Sequence, residues 1–152
     1  MPKTRAVGDE PVLEAGVAFV VRDDRGRVLL HLRPEEDGWS PPSGTLRGGE
    51  ALGATLEREI LEETGLAVER VRLVAVHSDP RHQVMRTPDG QCTHFVTLVF
   101  TCRLARGEID PGGDAADAAW AWHDPAALPR LTRFGRSYLE DALSDRDEVV
   151  VR

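Results

Sequence analysis

Four glutamates crowd one short stretch of this 152-residue chain: Glu57, Glu59, Glu62 and Glu63. On an α-helix each residue turns by about 100°, so Glu62 lies roughly 60° to one side of Glu59 and Glu63 roughly 40° to the other. Three carboxylates then share one stripe. Exposed like charges at this spacing cost about a few tenths of a kcal/mol per pair, and more when crowded into a partly buried cleft, so something must offset their repulsion. Hard oxygen ligands on one rigid element suit Mg²⁺ or Mn²⁺, which bind a few carboxylates together with substrate phosphate oxygens. The other reading of the same stripe is a solvated acidic face, softened by Arg58 four residues before Glu62.

A helix must present this stripe, and the spacing predicts one from Ala51 to Thr64. Leu52, Leu56, Ile60 and Leu61 recur at helical intervals, and Gly65 stands where a C-cap glycine belongs. Before it, Ala15 to Val21 and Val28 to Leu32 flank the polar turn Asp23-Asp24-Arg25-Gly26 and read as a hairpin. Arg33 to Gly44, rich in Pro, Gly and Glu, reads as a loop anchored by Trp39. After the helix, Val68 to Val76 alternates as a strand does. Thr87-Pro88-Asp89-Gly90 is a turn between a short segment near Val84 and the apolar run Phe95 to Leu104. Ala118 to Trp122 reads as a short strand and Arg130 to Leu143 as a closing helix. Strands on both sides of one central helix indicate a mixed α/β sandwich. Neither a dinucleotide-binding glycine pattern nor a Walker loop is present.

The length fits one domain, expected over residues 13–145, with tails at 1–12 and 146–152. A net charge of −7 argues against a broad nucleic-acid surface, so no stable nucleic-acid binding is expected. It also means that an anionic substrate needs a local source of positive charge, which a divalent cation would supply. The first eleven residues have no signal-peptide core, and the apolar run 15–21 is far too short to span a bilayer. A cytoplasmic protein without membrane contact is expected. Cys92 and Cys102, the two cysteines, fall in one extended segment about 33 Å apart, beyond disulfide reach.

The stretch Gly44 to Leu66 resembles the Nudix box, Gly-x5-Glu-x7-Arg-Glu-U-x-Glu-Glu-x-Gly-U with U a bulky aliphatic residue. Gly44, Glu50, Arg58, Glu59, Ile60, Glu62, Glu63, Gly65 and Leu66 fill every fixed position. The resemblance implies an α/β fold of the Nudix type, an α/β/α sandwich with a mixed β-sheet. It implies a pyrophosphohydrolase using Mg²⁺ or Mn²⁺, with Glu59, Glu62 and Glu63 as metal ligands and one of them a base. Glu50 and Arg58 resemble the pair that holds the box together, Gly44 would make the tight turn, and a backbone carbonyl of Ser43 or Gly44 would complete coordination. The familiar Pro-Gly-Gly entry reads Pro42-Ser43-Gly44, which leaves the loop's shape open. Asp114, with Asp117 behind it, resembles an acidic segment that gives relatives a further ligand or general base.

The substrate class implied is a nucleoside diphosphate linked to another group: a nucleoside triphosphate, ADP-ribose or a nucleotide sugar. Trp39, Trp120, Arg47 and Arg81 are candidates to contact it, with Arg33 and Arg86 as further cations; packing and solubility are the competing roles. Trp120 and Trp122, alternating with Ala121, should face one side. His77, His82 and His94 show no metal spacing and read as polar strand or loop residues. A tyrosine shortly after the box, usual in diadenosine-polyphosphate hydrolases, is missing; Pro80 is a loose match to a proline found in ADP-ribose hydrolases. A catalytically silent nucleotide-binding module is the alternative, although all box carboxylates are present. An isomerase on the same fold would need a cysteine ahead of the box. Dimerisation is common among relatives, so a homodimer stays open.

Overall fold

The structure, a computed structural model, describes residues 10–65, 67–104 and 120–152. The chain opens with β1 (Val12–Arg22), whose Val17 to Val21 are all almost fully buried. A strand covered on both faces needs such an unbroken apolar run. Asp23 then turns the chain: its carboxylate accepts from the backbone N–H of Arg25 and Arg27 at 3.0 and 2.8 Å, and Gly26 takes φ 77°. β2 (Val28–Arg33) follows.

The stretch expected as a loop holds a short 3₁₀ turn (Pro34–Glu36) and two three-residue strands, β3 (Gly38–Ser40) beside β2 and β4 (Ser43–Thr45) beside β1. Elements this short leave no periodicity to read, which corrects the loop assignment. α1 (Leu52–Thr64) closes at Gly65, φ 70°, whose N–H returns to the Leu61 carbonyl at 2.9 Å. β5 (Val68–His77), the four-residue α2 (Pro80–Gln83), β6 (Val84–Arg86), β7 (Cys92–Leu104), β8 (Trp120–His123), a second 3₁₀ turn (Pro125–Ala127), α3 (Arg133–Ala142) and β9 (Val150–Val151) complete the described elements.

All nine strands among the described residues join one mixed sheet, ordered β3-β2-β1-β7-β5-β9, with β4 also on β1, β6 on β7 and β8 on β2. Its centre is the parallel pair β1–β7, in register from Val12 with Thr93 to Arg22 with Arg103. Residues 146–152 are not a tail. Val150–Val151 pair in parallel with β5, and Arg152 donates its backbone N–H to Val76 and accepts from Ser78.

The two longer helices, α1 and α3, cover opposite faces. On one, Leu56 and Ile60 of α1 pack with Val17, Phe19, Val21, Leu29 and Phe100. On the other, Tyr138, Leu139 and Ala142 of α3 pack with Ala18, Val20, Leu30, Val74 and Val99. This is the expected α/β/α sandwich with a mixed sheet. Leu61, counted with the apolar face from its spacing, is 59% exposed, because it lies about 100° past Ile60. Among the described residues no helix is long and apolar enough to cross a membrane.

Residues 130–132 dock α3 onto β3: Trp39 donates to the Arg130 carbonyl and accepts from Thr132, each at 2.9 Å. Gly38 makes this approach feasible, since a Cβ there would stand 2.7 Å from the backbone of Leu131 and Thr132. Backbone cannot swing aside as a side chain does. Gly38→Ala is therefore expected to destabilise the fold by about 1–3 kcal/mol, measurable by denaturant unfolding; an unchanged midpoint would refute this docking.

Candidate active site

α1 and β4 meet at Gly44. A Cβ on this residue would stand 2.6 Å from Glu59 Oε1 and 2.7 Å from its Cγ, so the Glu59 side chain occupies the space that glycine leaves free. Arg58 organises the neighbouring carboxylates. It forks onto Glu50, Nε to Oε1 at 2.7 Å and Nη2 to Oε2 at 3.1 Å, while Nη1 donates to Glu59 Oε1 at 2.9 Å and Glu62 Oε2 at 3.3 Å. The Glu50, Arg58 and Glu59 side chains are all less than one-fifth exposed, whereas Glu62 is 57% exposed. The Arg58 hydrogen bond, against the opposing effect of desolvation, holds the Glu50 carboxyl below its ordinary range, and the same bond raises the guanidinium's own pKa. One cation thus offsets much of the repulsion that the sequence builds into the stripe. The Glu50–Arg58 fork also ties the loop before α1 to the helix, eight residues apart.

Glu57 is exposed, away from this network. The side chain of Glu63, together with Leu66, Asp114 and Asp117, lies outside the described residues. Among the described side chains no group of three His, Cys, Asp or Glu is spaced to hold a metal ion. What is described is Glu59 and Glu62, brought to one guanidinium nitrogen beside the Gly44 backbone. This all-oxygen donor set, with Glu59 seated where Gly44 lacks a Cβ, fits a hard divalent cation.

Gly44 also lines a cleft of about 190 Å³ on the sheet, together with Gly16, Arg33, Ser43, Gln83 and Tyr138. Ser43, the departure from the familiar box entry, lies 3.3 Å through its hydroxyl from Arg33 Nη2, which donates to it. Deeper in, Thr97 donates to Gln83 Oε1 at 2.9 Å and Tyr138 contacts the same amide at 3.4 Å. Burial pushes the Tyr138 phenol above its usual pKa. Gln83 and Tyr138 are 55 positions apart. Nothing local in the sequence marks them as partners.

The tentative substrate contacts are dispersed. Trp39 packs against the α3 layer and meets His123 edge-on at 4.7 Å. Trp120 stacks on His31 at 4.4 Å and, with Trp122, packs against the α1-side cluster, so both face one side and serve the core. Neither tryptophan lines the Gly44 cleft, nor does the exposed Arg47. Arg81 forks onto Asp79 and lines an adjoining cavity of about 520 Å³ with His77, His82, Gln83 and Phe134. His77 is not a simple polar strand residue, since it is buried against Asp141 at 2.7 Å. Cys92 and Cys102 are free; desolvation pushes the buried Cys102 thiol up to about 12, which makes it a poor nucleophile.

Comparison with known proteins agrees with this architecture. The family model for the NUDIX domain matches residues 12–142. An RNA pyrophosphohydrolase from Novosphingobium aromaticivorans is 30% identical over 128 residues, covering 76% of this chain and 80% of its own. An ADP-ribose pyrophosphatase from Methanocaldococcus jannaschii is 36% identical over 114 residues, covering 74% and 62%. The crystal structure of a MutT NUDIX hydrolase from Burkholderia pseudomallei superposes with a TM-score of 0.64 at 29% identity, covering 85% of this chain and 97% of that one. Fold and relatives together define an enzyme of the pyrophosphohydrolase class, acting on acid anhydrides. The chain belongs to the Nudix family.

Proposed function

We propose that this enzyme is a metal-dependent hydrolase cleaving the phosphoanhydride of a nucleoside diphosphate linked to another group, in the nucleoside triphosphate, ADP-ribose or nucleotide sugar class. The observation that carries the reading is the seat of Glu59 on Gly44, which puts the carboxylate helix against the cleft. Glu59 and Glu62, joined by Glu63, would hold Mg²⁺ or Mn²⁺ with a backbone carbonyl of Ser43 or Gly44. Bound there, the ion supplies charge neutralisation for the diphosphate and lowers the pKa of a water. The chain's own groups do the rest. Arg58 holds Glu59 and Glu62 in place, and one of the box carboxylates, or Asp114, takes the proton from the attacking water. Arg33, on the far side of Ser43, is placed to pair with a phosphate oxygen. The named relatives, an RNA pyrophosphohydrolase and an ADP-ribose pyrophosphatase, support the reaction type and leave the attached group to the cleft.

The test is product release from a panel of nucleoside triphosphates, ADP-ribose, nucleotide sugars and dinucleotides, with Mg²⁺, with Mn²⁺ and with chelator. Chelator-sensitive turnover of at least one compound is expected, and in Glu62→Gln that turnover falls steeply while the fold stays intact. A correctly folded, metal-binding protein that is silent across the panel would favour the nucleotide-binding regulatory module instead. Normal turnover in both Glu62→Gln and Glu63→Gln, with an unchanged metal requirement, would refute the metal assignment.

A further inference from the structure

Toward the other end of the sheet, five arginines from separate parts of the chain line one recess of about 660 Å³: Arg22, Arg70, Arg72, Arg103 and Arg146. Gly44 pairs with Val17, and Arg22 lies five residues further along β1, roughly 16 Å away. The two regions are thus distinct. Arg22 and Arg103 are direct cross-strand neighbours. Strand alternation puts both on the α3 face, in step with Val20 and Val99. Arg70 and Arg72 come from an irregularity in β5, whose pairing with β7 shifts between Glu69 and Arg72. Arg70 there has φ 52°, a left-handed conformation that disfavours residues bearing a side chain. Arg146 enters from the segment after α3, and its carbonyl receives Arg72 Nη1 at 3.5 Å.

Like charges side by side on adjacent strands repel, and proteins ordinarily quench them with carboxylates. Arg27, Arg58, Arg81, Arg130 and Arg152 each contact an Asp or Glu. Among the described residues, none of the five recess arginines has a carboxylate oxygen within 4.0 Å. Asp145 and Asp147 line the recess and Glu69 stands opposite Arg103 on β5, none of them pairing to these arginines within 4.0 Å. The C-terminal end of α3 adds about half a negative charge. Five guanidiniums exceed these opposing charges, so the recess is locally positive on a protein of net charge −7.

We propose that this recess binds a compact oligophosphate anion at a site separate from α1. Guanidinium forks match phosphate oxygens in pairs. Several of them turned into one concavity and left unpaired suit adjacent phosphates on a short chain. The arginines converge on a recess instead of running as a stripe, which favours a free oligophosphate over the backbone of a nucleic acid. The Thr101 and Ser144 hydroxyls line the same wall.

The test is calorimetric titration of the full-length protein with inorganic tripolyphosphate, in the presence of chelator, at roughly 50 and 200 mM salt. Saturable 1:1 binding that weakens with salt is expected. It should weaken by about tenfold or more in Arg72→Glu/Arg103→Glu and persist in Glu59→Gln. Arg70→Glu/Arg146→Glu, both at exposed positions, provides a second variant should the first unfold, and basal hydrolysis stays unchanged in it. Absence of saturable heat, binding lost in Glu59→Gln but kept in the arginine variants, or capture only of a 5′-hydroxyl oligoribonucleotide would each overturn the proposal. Because the titration excludes divalent metal, its failure leaves the hydrolase reading untouched, and the reverse holds.

Discussion

Replacing Gly44 with alanine is expected to cut turnover about a hundredfold while leaving the melting temperature almost unchanged. The added methyl would stand 2.6 Å from Glu59 Oε1 and 2.7 Å from Glu59 Cγ, distances no packing tolerates. What must yield is the outer part of a flexible side chain at the edge of the cleft. The fold loses little when a carboxylate swings away, but the site loses the most closely held of the carboxylates proposed to bind the metal. A displacement on the order of 1 Å in catalytic geometry costs roughly two orders of magnitude in rate. Arg58 would follow the displaced carboxylate, because its Nη1 bonds Glu59 and Glu62 together, so metal affinity should fall with turnover. Steady-state kinetics and metal titration beside thermal melting check this. Full activity in the alanine variant would mean that Glu59 does not work from the seat it occupies, and a collapsed melting temperature would assign Gly44 to folding instead.

Asp141→Ala is expected to produce the largest loss of stability of any single change considered, about 2–4 kcal/mol, after allowance for the half-exposed Arg152. In a chain of this size that is about 5–15 °C in melting temperature. Asp141 sits on α3 with its side chain 2% exposed and accepts from His77 Nε2 on β5 at 2.7 Å and from Arg152 Nη2 beyond β9 at 2.9 Å. One carboxylate therefore joins a helix to two strands, and its removal leaves His77 buried without a partner on that side. Burial opposes ionisation of Asp141, yet the bonds from Arg152 and His77 outweigh it and hold its pKa below the usual carboxylate value. The sign of the pH dependence follows. A depressed folded pKa gives stability that is fully present above the unfolded value of about 3.9 and is lost as pH falls through the folded value. The gap between wild type and Asp141→Ala should thus be flat above about pH 5 and narrow in acid below pH 4. A gap that widened on acidification would refute the ion-pair account.

What the sequence made legible were elements with either length or unusual composition. α1 was readable because thirteen residues give Leu52, Leu56 and Ile60 room to repeat and Gly65 supplies the left-handed exit. The Asp23 turn was readable because one carboxylate both caps and closes it. β3, β4 and β9 were not, since two or three residues cannot show a period of two, and their pairing depends on tertiary partners. The site divides the same way. The box glutamates and Arg58 lie within one turn or two of each other, so helical geometry alone brings them together. Gln83, Thr97 and Tyr138 come from α2, β7 and α3, and only the folded sheet makes them neighbours. The tryptophans could be read either as packing or as substrate contacts because an indole's capacity to stack is the same on a base as on His31.

The parallel seam between β1 and β7 bears on how this enzyme comes into being. Each of its register pairs joins positions 81 apart, as Val12 with Thr93 and Arg22 with Arg103. Closing a flexible loop of that length costs about 4 kcal/mol before any contact rewards it, which places the seam late in folding, after the β1–β2 hairpin, the β6–β7 hairpin and α1 have formed locally. During synthesis at about 5–20 residues per second, β1 waits on the order of 4–16 s for its partner strand to be made. For that interval the run Val17 to Val21 has one long edge bare, and an exposed apolar strand edge invites pairing with a neighbouring nascent chain. Yield of soluble protein should consequently respond to translation speed and chaperone supply more than to the final stability of the sandwich.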